Sequence, residues 1–179
     1  MNSITFIVGG ARSGKSSYAI ELAKGRDKKV AFIATCQPLD KEMKLRIELH
    51  KKKRPGHWKT FEEPKDLEGL LKRLGAEFDI VIIDCLTLFI SNLLSKGLSD
   101  EEIEGLMDKI LKILKAAKYK SIIISNEVGL GIVPRNRIAR RFRDLAGKIN
   151  QKAARNAEEV IFMVSGIPLS IKGGKGWLR

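Results

Sequence analysis

The sequence predicts an α/β fold, a mostly parallel β-sheet flanked by helices on both faces. Two observations carry this expectation. Short apolar, β-rich runs recur along the chain with helical patterns between them, as βαβ units require. The first of these runs leads directly into a glycine-rich octet followed by a helical pattern, the order strand, loop, helix. Parallel neighbours cannot be joined by tight hairpins, so the intervening helices act as crossovers and cover the sheet.

Taken in order, residues 4–8 (ITFIV) form the first apolar run, and 15–24 behind the octet have helical character. The next strand candidate is 30–34 (VAFIA), followed by a helical pattern at 41–53 and another at 67–74. Residues 80–83 (IVII) are again strand-like. A helix is expected over 100–117, because Ser99 is a suitable N-cap and Glu102, three residues on, completes a capping box. The strand candidates 121–125 and 160–164 bracket a long helical pattern at about 134–157. No internal repeat, low-complexity stretch or linker interrupts the series, so residues 1–179 are expected to form a single domain. The glycine-rich tail, 172–179, has no clear pattern.

The octet GGARSGKS at 9–16 satisfies G-x-x-x-x-G-K-[ST] through Gly9, Gly14, Lys15 and Ser16. In its strand–helix setting the loop amides cradle phosphates at a helix N-terminus, where the helix dipole also favours negative charge. Lys15 would reach the β- and γ-phosphates, and Ser16 would join a Mg²⁺ shell. The fold expectation therefore sharpens to a P-loop NTPase-like one that binds ATP or GTP.

Composition narrows the possibilities. A chain of 179 residues with 44% hydrophobic content can bury one sizeable core. No apolar run approaches the ~18 residues of a membrane span, and the first strand candidate begins so early that no leader is expected. Cys36 and Cys85 form no C-x-x-C pair, which argues against zinc and for reduced thiols in a cytoplasmic protein. The net charge is +13, from 34 Lys+Arg against 21 Asp+Glu. Such a balance attracts polyanions, but the charges are interleaved and no RNA-reading aromatic motif accompanies them. Nucleotide phosphates, a solvated Lys/Glu surface and nucleic acid all remain open on charge alone.

Four segments carry candidate chemistry. The apolar run 80–83 ends in Asp84, at the carboxyl end of a parallel strand where ligands sit, so Asp84 is the natural metal-binding acid; a plain turn aspartate is the alternative. Asn126 and Glu127 leave another strand at the same edge. Glu127 either orients a substrate hydroxyl or holds a metal water, or belongs to a polar turn with Gly129 and Gly131. Arg137, Arg140 and Arg141 are neighbours at helical spacing, suited to phosphates or equally to a solvated face or subunit contact. In the pattern at 41–53, Met43, Ile47 and His50 share a stripe, and His50 is followed by Lys51, Lys52, Lys53 and Arg54. These cations disfavour a charged imidazole and can hold a triphosphate, which leaves a neutral histidine able to attack phosphorus. A structural or exposed helix histidine is the alternative. His57, after Pro55 and Gly56, belongs to a turn.

Together, GGARSGKS (9–16), IAT (33–35), EMKLRIELHKKKRPGHW (42–58), DCLTLFISNLL (84–94), NEVGLGIVPRNRIARRFRDLAGKINQKAA (126–154) and VSGIPLSIK (164–172) resemble, in order and over nearly the whole chain, one family. This is the bifunctional adenosylcobinamide kinase / adenosylcobinamide-phosphate guanylyltransferase of cobalamin biosynthesis. The resemblance implies phosphorylation of adenosylcobinamide by ATP or GTP, then transfer of GMP from GTP to that phosphate through a GMP-histidine intermediate. It implies His50 and Lys15 as catalytic residues. Nucleotide contacts are implied at Gly9, Gly10, Ala11, Arg12, Ser13, Gly14, Lys15 and Ser16, at Ala34, Thr35 and Cys36, at Lys51, Lys52, Lys53 and Arg54, and at Glu62 and Asp84. Ser16 and Asp84 are the implied Mg²⁺ ligands. Relatives that carry a second histidine have it where this chain has Leu49, which leaves His50 alone in the motif. A homotrimer without nucleic-acid partners is also implied.

Overall fold

The computed structural model describes residues 3–25, 28–38, 40–52 and 54–173. The elements alternate as β1 (Ile4–Gly9), α1 (Lys15–Ala23), β2 (Val30–Ala34), α2 (Lys41–Lys52), β3 (Lys59–Glu62), α3 (Leu67–Leu74), β4 (Ile80–Asp84), α4 (Leu86–Ser95), α5 (Asp100–Ala116), β5 (Lys120–Asn126), α6 (Arg137–Asn156), β6 (Glu159–Val164) and β7 (Ile167–Lys172). They form one seven-stranded sheet in the order β3-β2-β4-β5-β1-β6-β7. Strands β1 to β6 pair parallel, and β7 alone is antiparallel, folded back on β6. Every element expected from the sequence is present, and the expected parallel sheet is observed.

Three elements were not legible. β3 is four residues of mixed polarity at the sheet edge, with only Phe61 half-buried, so it shows no apolar run. α4 carries six apolar residues and four uncharged polar ones, Thr87, Ser91, Asn92 and Ser95, and has no charged face to mark an amphipathic surface helix. β7 alternates Ile167, Leu169 and Ile171 with Pro168 and Ser170, but the proline masked it; as an edge strand it tolerates one. The long helix starts at Arg137 instead of near Pro134, because Asn136 caps it by accepting from the N–H groups of Ile138 and Ala139. Of the tail, Lys172 is held, its Nζ donating to the carbonyls of Ala154, Arg155 and Ala157 at the end of α6. Residues 174–179 lie outside the described residues.

Strand residues alternate between two cores. On one face Phe6, Ile33, Val81, Ile83 and Ile123 meet α3, α4, α5 and α6 through residues such as Leu67, Phe89, Ile110 and Ile149. On the other, Ile7, Phe32, Ile82, Ile124 and Ile161 meet Ala19, Ile20 and Ala23 of α1. Burying each Ile, Leu or Phe side chain contributes roughly 1.5–3 kcal/mol. Helices lie on both faces, as expected, but unevenly: on the α1 side, α2 stays largely exposed, with Leu45 and Leu49 about half accessible.

Two outcomes test this architecture. The capping box at α5 is formed in both directions, Ser99 Oγ accepting from Glu102 N–H at 3.2 Å and Glu102 accepting from Ser99 N–H at 2.7 Å. Ser99→Ala should therefore lower stability by about 1 kcal/mol in urea denaturation, and an unchanged midpoint would contradict it. The second outcome concerns Cys85 in the α1-side core, where burial first and Asp84 second push the thiol up to about 11. Stability contributed by the protonated thiol is present below its ordinary value of 9.0 and lost as pH rises toward 11. At pH 8 iodoacetamide should spare Cys85 in the folded protein and alkylate it in urea, read by peptide mass mapping; fast native alkylation would refute the burial.

Candidate active site

The carboxyl ends of β1, β4 and β5 lie side by side, and the chain leaves β1 through the glycine loop into α1. Such an edge, where strand order reverses around β1, is where open parallel sheets bind ligands. A cleft of about 600 Å³ opens there, lined by residues 11–17 of the loop and α1, by Leu49 and His50 of α2, and by Asp84, Cys85, Ile124 and Asn126.

The loop's shape explains its glycines. Gly14 has φ +93°, and a Cβ there would lie 3.2 Å from Gly166 Cα in the β6–β7 turn. Only glycine fits both the left-handed backbone and that approach. The same turn fixes the loop, because Gly166 N–H donates to Ser13 O at 3.0 Å. Arg12 is itself left-handed at φ 56°, an uncommon conformation for a residue with a side chain, and it is exposed.

Lys15 is buried, and its ammonium donates to the carbonyls of Gly9 and Gly10 and to Ser13 Oγ. Burial lowers its pKa, while Cys85 and Asp84 pull in the opposite direction. An anionic phosphate offered to this ammonium would relieve the same desolvation. Ser16 Oγ donates to Asp84 Oδ2 at 2.7 Å, so the two expected metal ligands already meet. Both are hard oxygen donors of the kind Mg²⁺ takes. Among the described residues no group of three or more His, Cys, Asp or Glu forms a protein-only metal cage. The pair therefore fits an ion whose remaining ligands are phosphates and waters.

His50 reaches the cleft from the last turn of α2, with Met43 and Ile47 of its stripe half-buried and the imidazole exposed. The other expected contacts are not part of the cleft lining. Lys51 pairs with Glu62 across α2 and β3, so these two share one ion pair. Arg54 lays its guanidinium 3.6 Å over the Phe32 ring, with Nε and Nη1 buried and lacking hydrogen-bond partners among the described residues. Burial lowers its pKa, and Asp84 and Glu62 oppose that shift. Lys52 is exposed on α2, and Ala34 and Cys36 flank Thr35 at the end of β2. Lys53 lies outside the described residues. Thr35 is fully buried: its hydroxyl donates to Cys85 O at 2.7 Å and accepts from Cys85 N–H at 2.8 Å, and its own N–H donates to Asp84 O. Thr35 thus acts on the backbone that carries Asp84.

Two candidates fall outside the cleft lining. The Glu127 carboxylate accepts from Gly129 N–H at 2.8 Å, the polar-turn alternative. In the arginine cluster, Arg141 pairs with Asp100 and Leu98 O, and Arg140 donates to Pro134 O and Arg135 O, so both brace the start of α6. The sequence reasoning missed Thr87, Asn92 and Asn150, buried polar residues behind the cleft. Asn92 donates to Thr35 O and Pro64 O, holding the β2 end in place. A signal existed: Thr87, Ser91 and Asn92 interrupt an apolar stretch, and buried amides and hydroxyls require partners.

The fold resembles that of a RadB recombinase crystal structure, with a TM-score of 0.52 at 15% identity over 89% of this chain and 73% of that one. In sequence the chain is 44% identical to the bifunctional adenosylcobalamin biosynthesis protein CobU of Salmonella typhimurium, over 93% of this chain and 98% of the relative. It is 41% identical to the bifunctional adenosylcobalamin biosynthesis protein CobP of Pseudomonas aeruginosa, over 93% and 96%. The family model described as cobinamide kinase / cobinamide phosphate guanyltransferase matches residues 5–171. A match spanning loop, strand ends and α6 alike leaves one conclusion: the chain belongs to the cobinamide kinase / cobinamide phosphate guanyltransferase family.

Proposed function

We propose that this chain phosphorylates the aminopropanol hydroxyl of adenosylcobinamide with ATP or GTP, then moves GMP from GTP onto the new phosphate, releasing pyrophosphate. The observation that carries this is the convergence of His50 with the phosphate loop and Asp84 on one cleft. A kinase alone needs the loop and the acid. A histidine facing the same phosphates supplies a nucleophile for nucleotidyl transfer.

In the second reaction an imidazole nitrogen of His50 attacks the α-phosphorus of GTP. The nitrogen–phosphorus bond forms as the bond to pyrophosphate breaks, the electron pair leaving with pyrophosphate. A phosphate oxygen of the acceptor then displaces His50 from the guanylyl group. Two displacements avoid a direct encounter of two polyanions, and each is offset by local cations. The loop amides orient the triphosphate, and the ammonium of Lys15 exchanges its loop carbonyls for phosphate oxygens. Ser16 and Asp84 would hold Mg²⁺, which when bound neutralises phosphate charge. Arg54, whose buried Nε and Nη1 lack partners among the described residues, and the Lys51–Glu62 pair would border the nucleotide, with Ala34, Thr35, Cys36 and Lys52 as its further contacts.

The remaining parts of this proposal are a single domain over residues 1–179, a cytoplasmic location, a homotrimeric assembly and no nucleic-acid partner. One continuous sheet supports the first. Among the described residues no helix is long and apolar enough to cross a membrane. Exposed Leu130, Ile132, Val133 and Ile138 ahead of and within α6 suit subunit contact. The cations Arg141, Lys148 and Lys152 pair with acids of α5, which takes them out of any free basic patch.

Incubation with α-labelled GTP should leave acid-labile, alkali-stable label on the protein, and His50→Ala should remove it by about 100-fold or more. Equal labelling of that variant would sink the assignment. Lys15→Ala should slow phosphorylation of adenosylcobinamide by roughly 10²–10³-fold, the cost of deleting one charge-stabilising donor; full turnover would argue against the loop's role.

A further inference from the structure

Asn126 is the one cleft-lining residue on β5 with a polar side chain, and its amide is held from behind. Its Nδ2 donates to Thr87 Oγ1 at 3.0 Å, and its backbone N–H donates to the same oxygen at 3.3 Å. Both lone pairs of that hydroxyl are thereby engaged, so the Thr87 proton goes to Cys85 Sγ, 3.1 Å away. A second clamp comes from α6, where Asn150 Nδ2 donates to Asn126 O at 3.1 Å. Thr87 and Asn150 are both buried, at 2% and 6% accessibility. Two helices therefore fix Asn126 at the end of β5, α4 through its side-chain amide and backbone N–H and α6 through its backbone carbonyl, next to Gly9 of the phosphate loop in the parallel register.

With Nδ2 turned onto Thr87, the carbonyl oxygen is the end left for the cleft. Among the described residues Asn126 Oδ1 accepts no hydrogen bond. A carbonyl oxygen repels phosphate oxygens and needs a donor. In the phosphoryl-transfer reaction the acceptor brings one, its alcohol O–H. Resting on the kinase reading above, we propose that Asn126 Oδ1 accepts the hydrogen bond of the acceptor hydroxyl and aims its lone pair at the γ-phosphorus, with Thr87 as the positioning residue that sets the amide.

The step balances simply. The acceptor oxygen bonds to γ-phosphorus as the bond to the β–γ bridging oxygen breaks, that electron pair leaving with the nucleoside diphosphate. An amide is too weak a base to keep the hydroxyl proton, which passes to an oxygen of the transferred phosphoryl group. Asn126 contributes orientation, the term on which a loose phosphoryl transfer depends most. The guanylyl half-reaction onto His50 involves no alcohol, so the amide has no donor to receive there. The two activities should therefore separate at this residue.

The test uses the full chain with adenosylcobinamide, GTP and Mg²⁺, scoring phosphorylation and α-label on the protein side by side. Asn126→Ala should lower kcat for phosphorylation by about 10- to 100-fold, with KM for GTP and the extent of labelling within about threefold of the parent. Thr87→Val should show the same split more weakly, and Thr87→Ser, which keeps the hydroxyl, should restore phosphorylation. Retained labelling reports that each variant is folded and loads nucleotide. Undiminished phosphorylation by Asn126→Ala would overturn the proposal, and so would an equal fall in both readouts, which marks a general structural role. A parent chain that takes up label but phosphorylates nothing would instead overturn the kinase reading beneath it.

Discussion

The contact between Ser16 Oγ and Asp84 Oδ2 ties the first turn of α1 to the end of β4, and the site is arranged around it. Neither group can sit elsewhere without disturbing a packed element. α1 is pinned by Ala19 and Ala23 in the core, and β4 is buried along Ile80–Ile83. Two strands that are not neighbours, β1 and β4, are thus joined at their carboxyl ends across β5, and the cleft is the space this leaves. Lys15 fills part of that space with a desolvated cation, which makes the cleft a place where an anion lowers the free energy of its surroundings.

Around that contact lies a shell of polar groups that partner one another, although Ser125 Oγ and Asn150 Oδ1 have no partner among the described residues. Thr35 satisfies Cys85, Asn92 satisfies Thr35 and Pro64, and Thr87 and Asn150 satisfy Asn126. An unpaired buried donor or acceptor costs ~1–3 kcal/mol, so these matches restrict the strand ends to one arrangement. Rigidity at the strand ends contrasts with α2, which carries His50 on a largely exposed helix. The cleft has a fixed wall of phosphate-loop and strand residues and an opposing wall attached more lightly. That division suits the two reactions proposed for this cleft, with the fixed wall serving both and the histidine one.

Much of the fold was legible because its signals are local. Continuous apolar runs and capping chemistry at Ser99 depend on residues within a few positions of each other. β3 and α4 escaped because they are defined by what surrounds them: β3 by pairing with β2, α4 by burial on nearly all sides. In the site, Gly14, Lys15, Ser16 and Asp84 were legible for the same reason, a loop and a strand end with short-range meaning. Arg140 and Arg141 show the opposite case. Their helical spacing suited a shared ligand face, but the partners of Arg141, Asp100 and Leu98 O, lie 41 and 43 residues away, in a segment whose position no local pattern reveals.

By itself the sequence determined that a phosphate-binding loop follows β1, that an acid ends β4, and that a lone histidine stands among cations at 50–54. It also determined the family, through motifs spread along the whole chain. Only the tertiary structure decided that His50 opens onto the loop's own cleft, that Thr35 works through the backbone of Asp84, and that Asn126, not Glu127, lines the site. The reason is physical. Chain-local preferences fix which elements form, whereas strand order and the pairing of buried polar groups fix which side chains meet, and those partners lie 24 to 68 residues apart in sequence.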